Sequence, residues 1–327
     1  MKYQYSGFIP ENIAPKGAVS IGVYDADENK VANIGLGQLT PPNAEPLYSF
    51  GLLSDLHLNI TDGGKNSTRF SNALTFFEDQ GCSFCCHTGD MTNIGFWMEG
   101  TEEYTTEQFS EYKRIRELHP NLPVYGCCGN HDSYTKAITD NLTELETYTG
   151  HGLHFSMTHG NDLFLFLGQP SATIPMSDDA LAWLETMLEA NADKRCFVFV
   201  HSFVDDNDSG NPFGLYENKI FDWWGSKKAT FIELLAGYNA ILFHGHSHMC
   251  FEAQMEVKYA NYSNALGFHS VHVPSIASKR DVTGGVLTGG DGCQGYIVDV
   301  YDNNIVLRGY DWLTGGYSAI AQYCIAT

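Results

Sequence analysis

Residues 47–57 read LYSFGLLSDLH. A mostly apolar run opens just after the breaker PPNAEP at 41–46 and closes on Ser54-Asp55. A short run of this kind, bounded on both sides, reads as a buried strand that delivers polar groups at its end. The pattern recurs along the chain. Strand-like runs occupy 47–54, 83–88, 122–128, 163–168, 196–200 and 240–244. Helical periodicity falls between them, at 69–80, 106–119, 136–148, 178–191 and 226–236. Alternation of strands and helices predicts an α/β domain with helices outside a sheet.

The flanks differ in character. Residues 19–37 place two apolar stretches around the polar DADENK turn, which predicts a hairpin. We read 1–46 as a hairpin extension packed on the domain and 47–327 as the domain itself. After about residue 250, QGYIVDVYDNNIVLRGYDW alternates around Asn303-Asn304 and predicts a second hairpin. GGYSAIAQYCI reads as a last strand, so these segments complete the domain.

Composition narrows the function classes. The chain has 327 residues, 43% apolar and 17% charged, which suffices for a large core. Its net charge is −21, from 18 basic and 39 acidic side chains. Such a surface repels nucleic acid and anionic lipid, so neither a nucleic-acid polymer nor a membrane is the expected partner. MKYQYSGFIPENIAPKG carries no apolar signal core, and no apolar run reaches the length of a membrane span. The expectation is a cytoplasmic protein. Cys85, Cys86, Cys127, Cys128 and Cys196 lie inside strand-like runs and read as buried, reduced thiols. Cys82-x-x-Cys85 has no second pair, so a zinc site there is the lesser reading.

Chemistry gathers at the strand ends. There stand Asp55-Leu56-His57, Gly89-Asp90, Gly129-Asn130-His131-Asp132, His201 and Gly245-His246-Ser247-His248. Carboxylate, amide and imidazole form the ligand set of hard or borderline divalent metals. Residues two apart in a strand point the same way, so Asp55 and His57 can reach one ion, and His246 and His248 repeat the spacing. Gly89 and Gly129 read as sharp-turn positions. Sites in open α/β sheets collect beyond the carboxyl ends of strands. Asp-x-His, Gly-Asp or His201 alone is an ordinary cap, turn dipeptide or core histidine; Gly-Asn-His-Asp is more specific, and Gly-His-x-His more so. The ordered conjunction points to a metal site.

In this order the blocks resemble the calcineurin-like metallophosphoesterase superfamily, over about residues 47–250. The resemblance implies a four-layer αββα sandwich, two facing mixed β-sheets flanked by helices. It implies two divalent ions; mixed oxygen and nitrogen ligands fit manganese, iron, zinc or cobalt. Asp55, His57, Asp90 and His248 would bind one; Asp90, Asn130, His201 and His246 the other, with Asp90 bridging. His131 would face the substrate as a catalytic group, with Asp132 orienting it. Met91-Thr92-Asn93 lacks the Tyr of purple acid phosphatases and the Asp-Arg-Gly of serine/threonine protein phosphatases. The pattern is most similar to the cyclic-nucleotide and glycerophosphodiester phosphodiesterases. The expected reaction is hydrolysis of a small phosphodiester by hydroxide shared between the two ions. His131 would stabilise a phosphoryl oxygen or protonate the leaving alkoxide.

A monoester carries an extra charge and calls for an Arg fork, and no block contains Arg, which favours a diester. A phosphomonoesterase on the same scaffold is the alternative; a nuclease or a non-catalytic binding protein comes after it. Lys65, Arg69, Lys279 and Arg280 read as solvated charge or as phosphate contacts. His87 and His244 read as core groups or groups that orient ligands. Loop 205–225 is a site wall or a surface excursion, and homo-oligomerisation is left open.

Overall fold

Strand residues that alternate between two faces sort themselves into layers. The computed structural model describes residues 20–24, 30–35, 45–59, 62–94, 102–132, 142–169, 176–202, 204, 224–254, 262–263, 266–280 and 286–327. In chain order its elements are β1 (Ser20–Tyr24), β2 (Lys30–Gly35), β3 (Tyr48–Leu53), α1 (Lys65–Asp79), β4 (Phe84–His87), α2 (Glu102–Leu118), β5 (Val124–Gly126) and α3 (Leu142–Thr149). Then come β6 (His154–His159), β7 (Asp162–Leu167), α4 (Asp178–Glu189), β8 (Cys196–Val200), α5 (Lys228–Gly237), β9 (Ile241–His244) and α6 (Phe251–Gln254). The last strands are β10 (Tyr262–Ser263), β11 (His269–His272), β12 (Ser278–Arg280), β13 (Val286–Asp291), β14 (Gln294–Val300), β15 (Asn304–Asp311) and β16 (Gly316–Ala326).

Two six-stranded sheets result, ordered β16-β15-β14-β3-β4-β5 and β10-β11-β9-β8-β7-β6. In the first, β3, β4 and β5 run parallel, and β14 joins β3 antiparallel. In the second, β7, β8, β9 and β11 are parallel. Phe50, Phe84, Phe164, Phe197, Phe199 and Phe243 fill the space between the sheets. The alternate side chains of these strands face outward. Leu53, Cys85 and Ile297 pack with Phe70, Phe77 and Tyr112 of α1 and α2. Leu165, Val198 and Leu242 pack with Leu184 of α4 and Phe231 of α5. Four layers, helix, sheet, sheet and helix, follow from this period of two. Each fully buried Phe contributes roughly 1.5–3 kcal/mol of burial.

At the amino ends of the strands the sheets are bolted together. Tyr48 donates its hydroxyl to Asp162 Oδ2 at 2.5 Å. Arg195 donates to both oxygens of Asp162, at 3.0 and 2.8 Å, and to the Tyr301 carbonyl at 2.8 Å.

The structure also departs from the expectations in detail. Helix α2 begins at Glu102, ahead of the expected 106. The strand β6 went unread because HFSMTH is an edge strand with partly exposed faces. Strands β1 and β2 pair antiparallel; 1–19, 25–29 and 36–44 of the expected hairpin extension lie outside the described residues, as do 205–223 of the long loop. Trp224 is buried against Phe231, ring centroids 4.2 Å apart. All nine cysteines are free, and eight of them are buried, Cys82 and Cys85 beneath α1 and α2. Among the described residues no helix is long and apolar enough to cross a membrane.

Candidate metal centre

The five blocks converge at the carboxyl ends of β3, β4, β5, β8 and β9. The local backbone is unlike the strand spacing expected for it. Strand β3 ends at Leu53, and Asp55 and His57 follow in the left-handed region, with φ of 51° and 44°. Asp90, His246 and His248 share that conformation, at 51°, 71° and 58°. The shared direction of each two-apart pair therefore comes from left-handed turns beyond the strand. Such backbone is strained for non-glycine residues and concentrates at functional sites.

Hydrogen bonds hold these turns against one another. Asp55 N donates to the Gly89 carbonyl at 3.1 Å, His57 N to that of Asp90 at 2.9 Å, and Leu58 N to that of Met91 at 3.0 Å. Gly89 makes the expected turn, with φ of 108°. Gly129 serves differently. A Cβ there would stand 2.2 Å from Asp90 Oδ1, so close approach explains it. At Gly245 a Cβ would stand 1.8 Å from Ser54 Oγ.

The donor atoms form two groups. Asp55, His57, Asp90 and His248 offer ligand atoms within 4.8 Å of one another, as do Asp90, His201 and His246. His57 Nε2 and His248 Nε2 are 2.9 Å apart, and His248 Nε2 lies 3.1 Å from Asp55 Oδ1. Asp90 Oδ2 is 3.5 Å from His57 Nε2 and 3.2 Å from His201 Nε2, so one oxygen faces both groups. Asn130 Oδ1 and His246 Nδ1 approach His201 Nε2 at 3.0 and 3.1 Å.

The opposite atom of nearly every donor is fixed. Asp55 Oδ2 accepts from Ser54 Oγ and, at 3.0 Å, from His246 N. Asp90 Oδ1 accepts from His131 N at 2.8 Å. His57 Nδ1 donates to Asn93 Oδ1 at 3.0 Å, and His201 Nδ1 donates to the Thr88 carbonyl at 2.8 Å. His248 Nδ1 and Ser278 Oγ share a hydrogen bond of 2.5 Å. Locking one ring nitrogen turns the other, with its lone pair, toward the centre. Two oxygens remain. Asp55 Oδ1 and Asp90 Oδ2 are buried with no hydrogen bond. Buried carboxylate oxygens in that condition are costly unless a cation faces them. The donor set fits two borderline divalent ions.

Electrostatics agree with a cluster built for cations. Burial pushes both carboxyls up, yet the imidazoles facing them prevail and hold Asp55 and Asp90 below the usual carboxylate range. Burial pushes His201 down, but the Asp90 charge lifts it to about 10. His246 is pushed down to about 3 by burial and by His201. His131 is also lowered by burial, to about 4. Its ring lies against His57, centroids 4.6 Å apart.

Asp132 engages the loops on either side of His131. Its carboxylate accepts from Met91 N, Thr92 N, Thr92 Oγ1 and Gly129 N. It ties the loop after β4 to the loop after β5. The suspected cations divide. Lys65 and Arg69 pair with Asp291, and Lys279 pairs with Asp311 at 2.8 Å. Arg280 N donates to the His248 carbonyl at 3.0 Å, which brings that residue beside the centre. Ser54, Asn93, Ser275 and Ser278 had no motif to mark them. Ser275 Oγ donates to the Asp55 carbonyl at 3.1 Å.

A sandwich of this topology with an Asp/His centre is the arrangement of a metal-dependent phosphoester hydrolase. The sequence profile of the calcineurin-like phosphoesterases matches residues 48–250, and the chain belongs to that family. It is a metal-dependent phosphoric ester hydrolase. Among solved structures it is similar to a dimetal phosphatase from Danio rerio, at 13% identity and a TM-score of 0.58, over 86% of this chain and 99% of that one. It is also similar to a conserved protein from Streptococcus pneumoniae described as a phosphoesterase, at 10% identity and a TM-score of 0.41, over 86% and 98%. Vps29 from Chaetomium thermophilum is similar at 12% identity and a TM-score of 0.37, over 86% and 95%. The first of these likenesses shows the shared fold. No curated protein matches the chain.

Proposed function

We propose that the chain is a binuclear phosphodiesterase acting on small phosphate diesters. The observation that carries this reading is the pair of buried, unbonded oxygens Asp55 Oδ1 and Asp90 Oδ2, the latter facing both donor groups. We assign Asp55, His57, Asp90 and His248 to one ion and Asp90, Asn130, His201 and His246 to the other. When bound, the ions supply an activated water and neutralise phosphoryl charge. Asp90 holds the two halves at a fixed separation, its second oxygen anchored on His131 N. The His131 ring, kept neutral by burial, offers an N–H to a phosphoryl oxygen. Asp132 braces the loop that carries His131. The free thiols support a reducing, cytoplasmic setting.

The diester preference is supported by Lys65, Arg69 and Lys279, each engaged by a carboxylate. One observation favours the phosphomonoesterase reading: Arg280, outside the motif blocks, is held beside the centre by its backbone N–H on the His248 carbonyl, and its charge acts on the His248 ring. Manganese-loaded protein assayed on bis(p-nitrophenyl) phosphate and p-nitrophenyl phosphate separates the two. The diester reading expects kcat/KM at least about ten-fold higher on the diester, with Arg280→Ala changing it little. A monoester preference that Arg280→Ala abolishes selects the second reading. Asp90→Ala is expected to lose metal and both activities; an Asp90→Ala protein with full metal content and rate overturns the assignment.

A further inference from the structure

His87 is the last residue of β4, three positions before Asp90, and it is fully buried. No step of the proposed reaction uses it. Its ring fills a space that exists because residue 126 is glycine. A Cβ at Gly126 would stand 2.0 Å from His87 Nε2 and Cε1. Gly89 N donates to His87 Nδ1 at 3.3 Å. A backbone amide only donates, so Nδ1 carries the lone pair and the proton of the neutral ring sits on Nε2. That Nε2 is 2.8 Å from Tyr112 Oη and donates to it. Tyr112 is itself fixed within α2, stacked on Phe70 of α1 with ring centroids 5.9 Å apart and planes 4° from parallel.

Gly89 is thus held through both of its flanking peptides. His87 takes its N–H, and Asp55 N donates to its carbonyl. The next residue is Asp90, in strained left-handed backbone with φ of 51°. Strained backbone persists only where its surroundings over-determine it. We propose that His87 is a positioning residue for the Asp90 carboxylate, with Tyr112 fixing its tautomer from α2. This inference rests on the reading of Asp90 as the carboxylate shared by two ions. Without His87, Gly89 N–H loses its partner and the turn relaxes, which moves Asp90 Oδ2 from its place between the donor groups. Burial keeps the His87 ring neutral, pushed down to about 3, in agreement with a permanent acceptor at Nδ1.

The test measures metal rather than turnover. Wild type, His87→Leu, His87→Asn and Tyr112→Phe are titrated with Mn²⁺, and each loaded protein is examined by low-temperature electron paramagnetic resonance. Circular dichroism and thermal melting establish that each is folded. Wild type is expected to take two ions and to show an exchange-coupled spectrum. His87→Leu is expected to bind the weaker ion about 10–100-fold less tightly, the usual cost of losing a group that orients a ligand, and to show the six-line signal of isolated Mn²⁺. His87→Asn keeps an acceptor near the Nδ1 position and is expected to restore coupling. Tyr112→Phe is expected to weaken the same ion by a smaller factor. A folded His87→Leu protein with two ions, unchanged affinity and the coupled spectrum overturns the inference. Should His87→Leu fail to fold, the other two variants decide: unchanged affinity in Tyr112→Phe together with loss of coupling in His87→Asn overturns it. If wild type itself holds fewer than two ions, the two-metal reading fails instead.

Discussion

Five residues assigned to metal, Asp55, His57, Asp90, His246 and His248, sit in left-handed backbone, at roughly 1–2 kcal/mol each. Their side-chain types were legible in the sequence; their conformation was not, because Asp-x-His reads the same on a strand or on a left-handed turn. A further residue-level property is the proton on His201. Its pKa is raised to about 10 against the opposing effect of burial, so without metal it is protonated at neutral pH. Its Nδ1 bonds the Thr88 carbonyl, and Nε2 faces Asp90 Oδ2. A metal ion at Nε2 must therefore expel a proton. Metal binding at pH 7 is expected to release at least about one proton per chain, and apparent affinity to fall as pH drops below 10. Isothermal titration in buffers of different ionisation enthalpy reads this directly; heats independent of buffer would refute it.

The element that matters most is the set of loops after β3, β4, β5 and β9, laced to each other and to the segment before β12. Ser54 lies between Thr88 Oγ1, which donates to it at 2.6 Å, and Asp55 Oδ2, which accepts from it. Gly245 passes against this ladder. In Gly245→Ala the new methyl would sit 1.8 Å from Ser54 Oγ and 2.7 Å from Asp55 Oδ2. The variant is expected to fold, because the overlap lies beyond the strand, yet to lose at least about ten-fold in metal affinity. Equilibrium dialysis against Mn²⁺ with a melting curve checks both halves; wild-type affinity would remove the ladder from the account. The motif glycine at 245 was visible in the sequence, but its reason was not, since Ser54 and Thr88 lie far from it along the chain. Ser275 and Ser278 were illegible for the same cause. They act on Asp55 and His248 from a segment beyond the family match.

For the whole molecule, strand alternation made the α/β character readable, while the division into two sheets came through the family resemblance. Nothing in the period of β3 or β8 says which sheet a strand joins. The bolt of Tyr48, Asp162 and Arg195 was likewise unmarked, being three ordinary residues that meet only on folding. Asp162→Ala leaves a largely buried guanidinium short of its counter-ion and is expected to lower stability by about 3 kcal/mol. The bolt lies at the strand ends opposite the metal centre, so metal stoichiometry should be unaltered. Urea unfolding with metal analysis tests this, and equal stability would show that Asp162 carries no such role. The pairing of β14 with β3 has a temporal side. Residues 296–300 lie against 48–52, so β3 gains this neighbour only after all the residues between them have been translated. At ribosomal speed the interval is roughly 10–50 s. Through that time β3 presents an open edge and an apolar surface, the template on which nascent chains stick to each other. The yield of soluble protein should therefore depend on chaperone supply and synthesis rate more than on the stability of the finished molecule.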